Sequence, residues 1–266
     1  MCATCGCGDD GTRITLVGRG HEHTHPHDHT HLHEHNGHVH TETISLEQKV
    51  LAKNDRLAED NRKWLAERNI LALNLTSSPG AGKTTLLERT IRHLGRDRPV
   101  AVIEGDQETL LDAERIKATG ARAVQVNTGA GCHLDAAMVR RALDTLDPEP
   151  ESILFIENVG NLVCPALFDL GEHSKVVVIS VTEGTDKPLK YPHMFAAAGL
   201  VVVNKIDLMP YVDFDLESCC AYSRSVNPAA EILPMSATSG DGSARWYEWI
   251  DNRANGIMHP SPVDKR

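Results

Sequence analysis

No stretch of the chain approaches the roughly eighteen consecutive apolar residues that a membrane-spanning helix needs. Nothing near the N-terminus forms the apolar core of a secretory signal either. Positive charge is also in short supply: 27 Lys and Arg face 37 Asp and Glu, a formal net charge of −10 over 266 residues. That balance argues against a nucleic-acid-binding surface. The expected setting is the cytosol, where the seven cysteines start out reduced. Metal binding or redox chemistry is then their expected use. Hydrophobic residues make up 41% of the chain and charged residues 24%, which allows a buried core. The length suits one α/β domain of about 200 residues plus an appendage.

Ten of the fifteen histidines lie between His21 and His40, on every second position from His21 to His35. Such a segment lacks the apolar surface that offsets chain ordering, and it reads as disordered. Dense neutral imidazoles form a low-specificity buffer for nickel, zinc or copper. An engineered tag is the bland alternative, but tags are uniform histidine runs and this one is interleaved with Thr, Glu, Asp, Pro and Leu. Ahead of it stand Cys2, Cys5 and Cys7. Three thiolates beside the terminal amine suit square-planar nickel as well as tetrahedral zinc; a disulfide is the alternative that cytosolic conditions disfavour.

From Leu46 to Asn69 the pattern becomes helical, with Leu46, Val50, Leu57, Trp64 and Leu65 as its apolar stripe. Ser45 and Gln48 form a capping box at its start. Seven short apolar runs follow: 70–75, 100–104, 121–126, 153–157, 176–181, 200–204 and 231–234. Helical segments divide them, which predicts a mostly parallel sheet covered by helices on both faces. The expected division is a metal-binding tail, largely disordered, over residues 1–42 and an α/β P-loop domain with an N-terminal helix over residues 43–266.

Ligands in such sheets gather beyond the carboxyl ends of the strands, and the motifs sit there. The first run leads into Ser77-Ser78-Pro79-Gly80-Ala81-Gly82-Lys83-Thr84-Thr85. Backbone N–H groups of Gly80 to Thr85 would face phosphate oxygens, Lys83 would reach the outer phosphates, and the Thr84 hydroxyl would ligate magnesium. Ser77 departs from the usual pattern, in which glycine opens the loop. A later run ends in Asn204-Lys205-Ile206-Asp207. The Asp207 carboxylate can accept from both the ring N–H and the exocyclic amine of guanine, a donor pair that adenine lacks. Asn204 would hold loop and base, the stem of Lys205 would cover the ring, and backbone N–H groups at Ser236-Ala237 would receive the guanine carbonyl. GTP is therefore the expected nucleotide.

Asp106 and Glu157 end two strands and are the candidate magnesium carboxylates, with Lys83 completing the hydrolytic set; a strand-end carboxylate capping the next turn is the plain alternative. Glu104 is a further candidate, but its side chain is expected to turn away from Asp106. Cys132, His133 and Cys164 fall in loops near the nucleotide and offer two thiolates and an imidazole to nickel or zinc. Three ligands leave a site open, or shared across a symmetric dimer; two buried cysteines and a surface histidine would be the alternative. Cys219 and Cys220 read as structural.

Together these motifs resemble the hydrogenase nickel-incorporation GTPases, the HypB family. The resemblance rests on the N-terminal C-x-x-C-G-C, the histidine tract, SSPGAGKTT, IEGD, GCHLDA, FIENVGNLVCP, NKID and SATSG. It implies a GTPase of the dimeric SIMIBI class, a GTP-dependent homodimer that delivers nickel during assembly of the [NiFe]-hydrogenase large subunit; its intrinsic hydrolysis of GTP to GDP and phosphate is expected to be slow, as the carboxylates mainly position magnesium. It further implies a tight nickel site at Cys2, Cys5 and Cys7 and a nucleotide-linked one at Cys132, His133 and Cys164. Partners implied are a HypA-type nickel chaperone and, in some organisms, a SlyD-type metallochaperone. The urease nickel GTPases are similar, but they usually carry Cys-Pro-His where this chain has Cys164-Pro165-Ala166. Two rival readings are a metal store with a secondary GTPase domain and a regulatory GTPase whose cysteines are structural.

Overall fold

The computed structural model describes residues 13–16, 39–106, 111–129 and 131–258. Cys2, Cys5, Cys7 and His21 to His38 lie outside the described residues. Eight strands form one sheet: β1 (Arg13–Leu16), β2 (Leu71–Ser77), β3 (Val100–Asp106), β4 (Arg122–Asn127), β5 (Ile153–Glu157), β6 (Ser174–Ser180), β7 (Leu200–Asn204) and β8 (Glu231–Pro234). Their order is β1-β4-β3-β5-β2-β6-β7-β8. Among the described residues seven strands are parallel, and β1 pairs antiparallel on the edge beside β4. The helices are α1 (Val39–Glu67), α2 (Lys83–Leu94), α3 (Leu111–Lys117), α4 (Ala136–Leu146), α5 (Lys187–Lys190), α6 (Pro192–Ala196), α7 (Leu216–Val226) and α8 (Ser243–Met258). Among the described residues, no helix is long and apolar enough to cross a membrane.

The seven apolar runs are the seven parallel strands. Because side chains alternate, Leu71, Leu73, Leu75, Val102 and Phe155 pack on one face with Leu87 of α2 and Trp246 of α8. Ala72, Ala101, Ile103, Leu154 and Ile156 pack on the other with Leu65 of α1 and Val139 and Leu143 of α4. A third cluster joins β6 and β7 to α6 and α7, and Cys219 is buried in it.

The helix starts at Val39 rather than Leu46, and the four-residue strand β1 is not among the apolar runs. The buried seam of α1 also differs. Val50 is 43% exposed, Leu57 and Trp64 are half-buried, and the buried positions are Asn54, Ala58, Asn61 and Leu65. Asn54 accepts from the Ala136 N–H at the start of α4 and donates to the Asp169 carbonyl. The Asn61 amide donates to the carbonyls of Ala136 and Leu170. Each such bond contributes about 1 kcal/mol. More to the point, the asparagines occupy backbone groups that packing would otherwise strand. That contact fixes the start of α4, directly after the candidate metal residues Cys132 and His133.

Candidate nucleotide and metal site

β2 ends at Ser77 and the chain turns through Gly80 (φ 75°) and Gly82 (φ 98°) into α2. At Gly82 a side chain is excluded twice over, by the left-handed backbone and by the Asn204 amide, which would lie 2.5 Å from an added Cβ. The Lys83 ammonium, 9% exposed, donates to Ser77 Oγ at 2.7 Å. Serine at the usual glycine position therefore has a visible consequence: it supplies an acceptor for the loop's own lysine. Burial pushes the Lys83 ammonium below its ordinary pKa, while Glu157 and other carboxylates pull the other way. Thr85, next along, accepts from Arg115 at 3.1 Å.

Thr84 Oγ1 donates to Glu157 Oε1 at 2.8 Å. Glu157 is buried, its carboxyl is pushed up by that burial, and Lys83 and Thr84 oppose the shift. Its second oxygen, Oε2, has no hydrogen-bond partner. Asp106 stands at the half-buried end of β3. Glu104 requires a correction. Residues two apart on a strand share a face, so Glu104 lies with Asp106 rather than turning away. Burial, and then repulsion from Glu157, Asp112 and Asp106, push its carboxyl up to about 9. The hydroxyl of Thr84 and two strand-end carboxylates, one of them with an orphaned buried oxygen, form an oxygen-only set of the kind a hard dication takes. Magnesium fits these residues.

The base-side motif is tied to the phosphate loop. Asn204 donates to the Ala81 carbonyl at 2.8 Å and accepts from the Ala237 N–H at 2.9 Å. Lys205 holds a left-handed backbone (φ 63°), and its ammonium reaches the Gly80 carbonyl at 2.7 Å. Asp207 is exposed at the rim. The Ser236 N–H donates to the Asp241 carbonyl, and Ser236 Oγ accepts from the N–H groups of Thr238 and Ser239. The N–H groups of Ser236 and Ala237 are thus both engaged within the protein. In this arrangement they help to shape the loop.

Cys132, His133 and Cys164 come together, their ligand atoms all within 4.8 Å of one another. The two sulfurs are 3.0 Å apart and Cys132 Sγ lies 3.8 Å from His133 Nδ1. The His133 ring packs on Phe168 with centroids 4.0 Å apart. Its burial lowers the pKa, which favours the neutral imidazole that metals bind. The loop carrying Cys164 is pinned by buried Lys175, whose ammonium donates to the carbonyls of Pro165 and Phe168. By contrast Cys219 is buried in an apolar cluster that pushes its thiol up to about 12, and burial also raises Cys220.

Sequence reasoning missed the residue between the two sites. Asn158 follows Glu157 and is 1% exposed. Its Oδ1 accepts from the N–H groups of Leu134 and Val159, and its amide donates to Asn74 Oδ1. One side chain thus joins the end of β5, the segment after Cys132 and His133, and the start of the Cys164 loop. Its position directly after a candidate magnesium ligand was the available signal.

Fold and loops define a P-loop nucleotide-binding domain that carries a thiolate–imidazole cluster beside its phosphate site. The family model described as "CobW/HypB/UreG, nucleotide-binding domain" matches residues 71–234. The hydrogenase maturation factor HypB of Escherichia coli strain K12 is 60% identical over 210 residues, covering 79% of this chain and 72% of that one. HypB from Archaeoglobus fulgidus superposes with a TM-score of 0.72 at 41% identity, over 77% of this chain and all of that one. HypB from Helicobacter pylori, solved in complex with nickel, gives 0.72 at 35% identity, over 76% and 95%. The chain belongs to the HypB family of hydrogenase maturation factors, and it carries a P-loop GTPase domain.

Proposed function

We propose that this protein is a GTP-hydrolysing nickel metallochaperone that delivers nickel during maturation of the [NiFe]-hydrogenase large subunit, with transfer gated by the state of the nucleotide. The observation that carries the gating is the Asn158 side chain, which ties the strand ending in Glu157 to the loops bearing Cys132, His133 and Cys164. Nickel as cargo is supported by the donor set, two thiolates and a neutral imidazole, and by the nickel-bound H. pylori relative; zinc suits the same donors. Cys2, Cys5 and Cys7 would hold nickel tightly, and the histidine tract would buffer it.

Thr84, Asp106 and Glu157 would hold magnesium, which would supply positive charge against the phosphates. Lys83 would leave Ser77 for the outer phosphates. Asp207 would read guanine at the rim, and Asn204 and Lys205 would keep the base loop in register with the phosphate loop. Loss of the γ-phosphate contacts would then relax the segment from Glu157 to Cys164. Hydrolysis would be slow, since the carboxylates mainly position the metal. Three ligands leave the cluster open, and Val163 and Leu167 beside it are 57% and 53% exposed. A GTP-dependent homodimer would complete the coordination and cover them. A HypA-type chaperone, the hydrogenase large subunit and a SlyD-type metallochaperone are the proposed partners, in the cytoplasm.

The test is a bacterial host deleted for its own HypB and grown at limiting nickel. The wild-type chain should restore radioactive nickel in the hydrogenase large subunit. A chain that folds and binds nickel in that host yet restores none would count against the assignment and favour a storage role.

A further inference from the structure

We propose that Glu104 is a positioning residue of the magnesium site, acting with Glu157 on the ion through its water shell. The inference rests on the GTPase reading. Strands β3 and β5 pair with Glu104 directly opposite Glu157. Both side chains continue the face that carries Val102 and Phe155, the face covered by α2. Glu104 is 3% exposed and Glu157 5%. Each has its Oε2 buried without a hydrogen-bond partner.

Two neighbouring buried carboxylates with open oxygens are costly to maintain unless something cationic or donating meets them. The nearby donors do not do so. Thr84 is spent on Glu157 Oε1, and the Lys83 ammonium is directed to Ser77. Magnesium keeps several of its waters when it binds beside phosphates, and such waters are donors that buried carboxylate oxygens accept. An apolar or amide side chain would fill the same space on β3 without the electrostatic cost. Glutamate there makes sense as an arrangement for a bound cation.

The experiment measures affinity of the full-length protein for a fluorescent non-hydrolysable GTP analogue, first in EDTA and then across a magnesium titration. In E104Q the gain in nucleotide affinity on adding magnesium should shrink by about tenfold, the scale found when an outer-sphere partner of a metal is removed. Affinity in EDTA should hold, because the glutamine fills the same space and no ion is present for Glu104 to act on. E104D, which keeps the charge, should recover part of the magnesium effect. An unchanged magnesium effect in E104Q overturns the proposal. So does an equal loss with and without magnesium, which would mark Glu104 as a packing residue. If the wild-type protein itself binds no nucleotide, the GTPase reading fails instead, and the two failures are distinguished.

Discussion

Replacing Lys83 with alanine is expected to lower GTP turnover by roughly a hundred- to a thousandfold, the scale of losing one preorganised charge partner in a water-excluded site. Lys83 is a buried cation among Glu157, Asp112, Glu183 and Asp106, all of which act on it electrostatically. Without it, the negative phosphates would meet these carboxylates without the one buried side-chain cation of the loop. The fold should survive, because the ammonium's one hydrogen bond among the described residues is to Ser77 Oγ. Single-turnover hydrolysis of the full-length variant, with thermal melting as the control, measures both. A K83A protein that hydrolyses GTP at near the wild-type rate would remove Lys83 from the mechanism.

Replacing Cys164 with alanine should weaken nickel binding at the core by at least about a hundredfold, since even outer-sphere partners of a metal are worth ten- to a hundredfold. Nucleotide affinity should not change. Cys164 supplies one of two sulfurs 3.0 Å apart, and its loop is held independently by Lys175. Removing the thiol therefore deletes a ligand without releasing the loop. To isolate the core site, the comparison belongs in a full-length background with Cys2, Cys5 and Cys7 changed to serine and the histidines of residues 21–40 changed to asparagine. Unaltered nickel affinity in that background would make the cluster structural.

The phosphate loop and the N-K-x-D stretch were legible because their chemistry is local: spacing along the chain fixes which groups meet one ligand. The parallel strands were legible for a similar reason, as buried strands need near-continuous apolar runs. The seam of α1 was not. Asn54 and Asn61 look like solvent-facing residues until α4 supplies the backbone groups they bond, and that pairing spans 75 residues and more. β1 was missed because RITL is only four residues long and its partner strand lies over a hundred residues away. Glu104 is a different case. Period-two alternation already placed it with Asp106, and the opposite orientation was an error of reading rather than a lack of signal. The use of the Ala237 N–H by Asn204 is a tertiary contact that no motif spacing discloses.

Coupling between nucleotide and metal is the central claim, and it requires that nickel affinity differ between nucleotide states. A calorimetric nickel titration in the tail-substituted background, once with GDP and once with a non-hydrolysable GTP analogue, reads that difference directly. We expect about tenfold between the two states, within the range of ~1–3 kcal/mol usual for coupled sites, and a stoichiometry near one nickel per two chains in the GTP-like state. Equal nickel affinity in both states would contradict the account, whatever its absolute value.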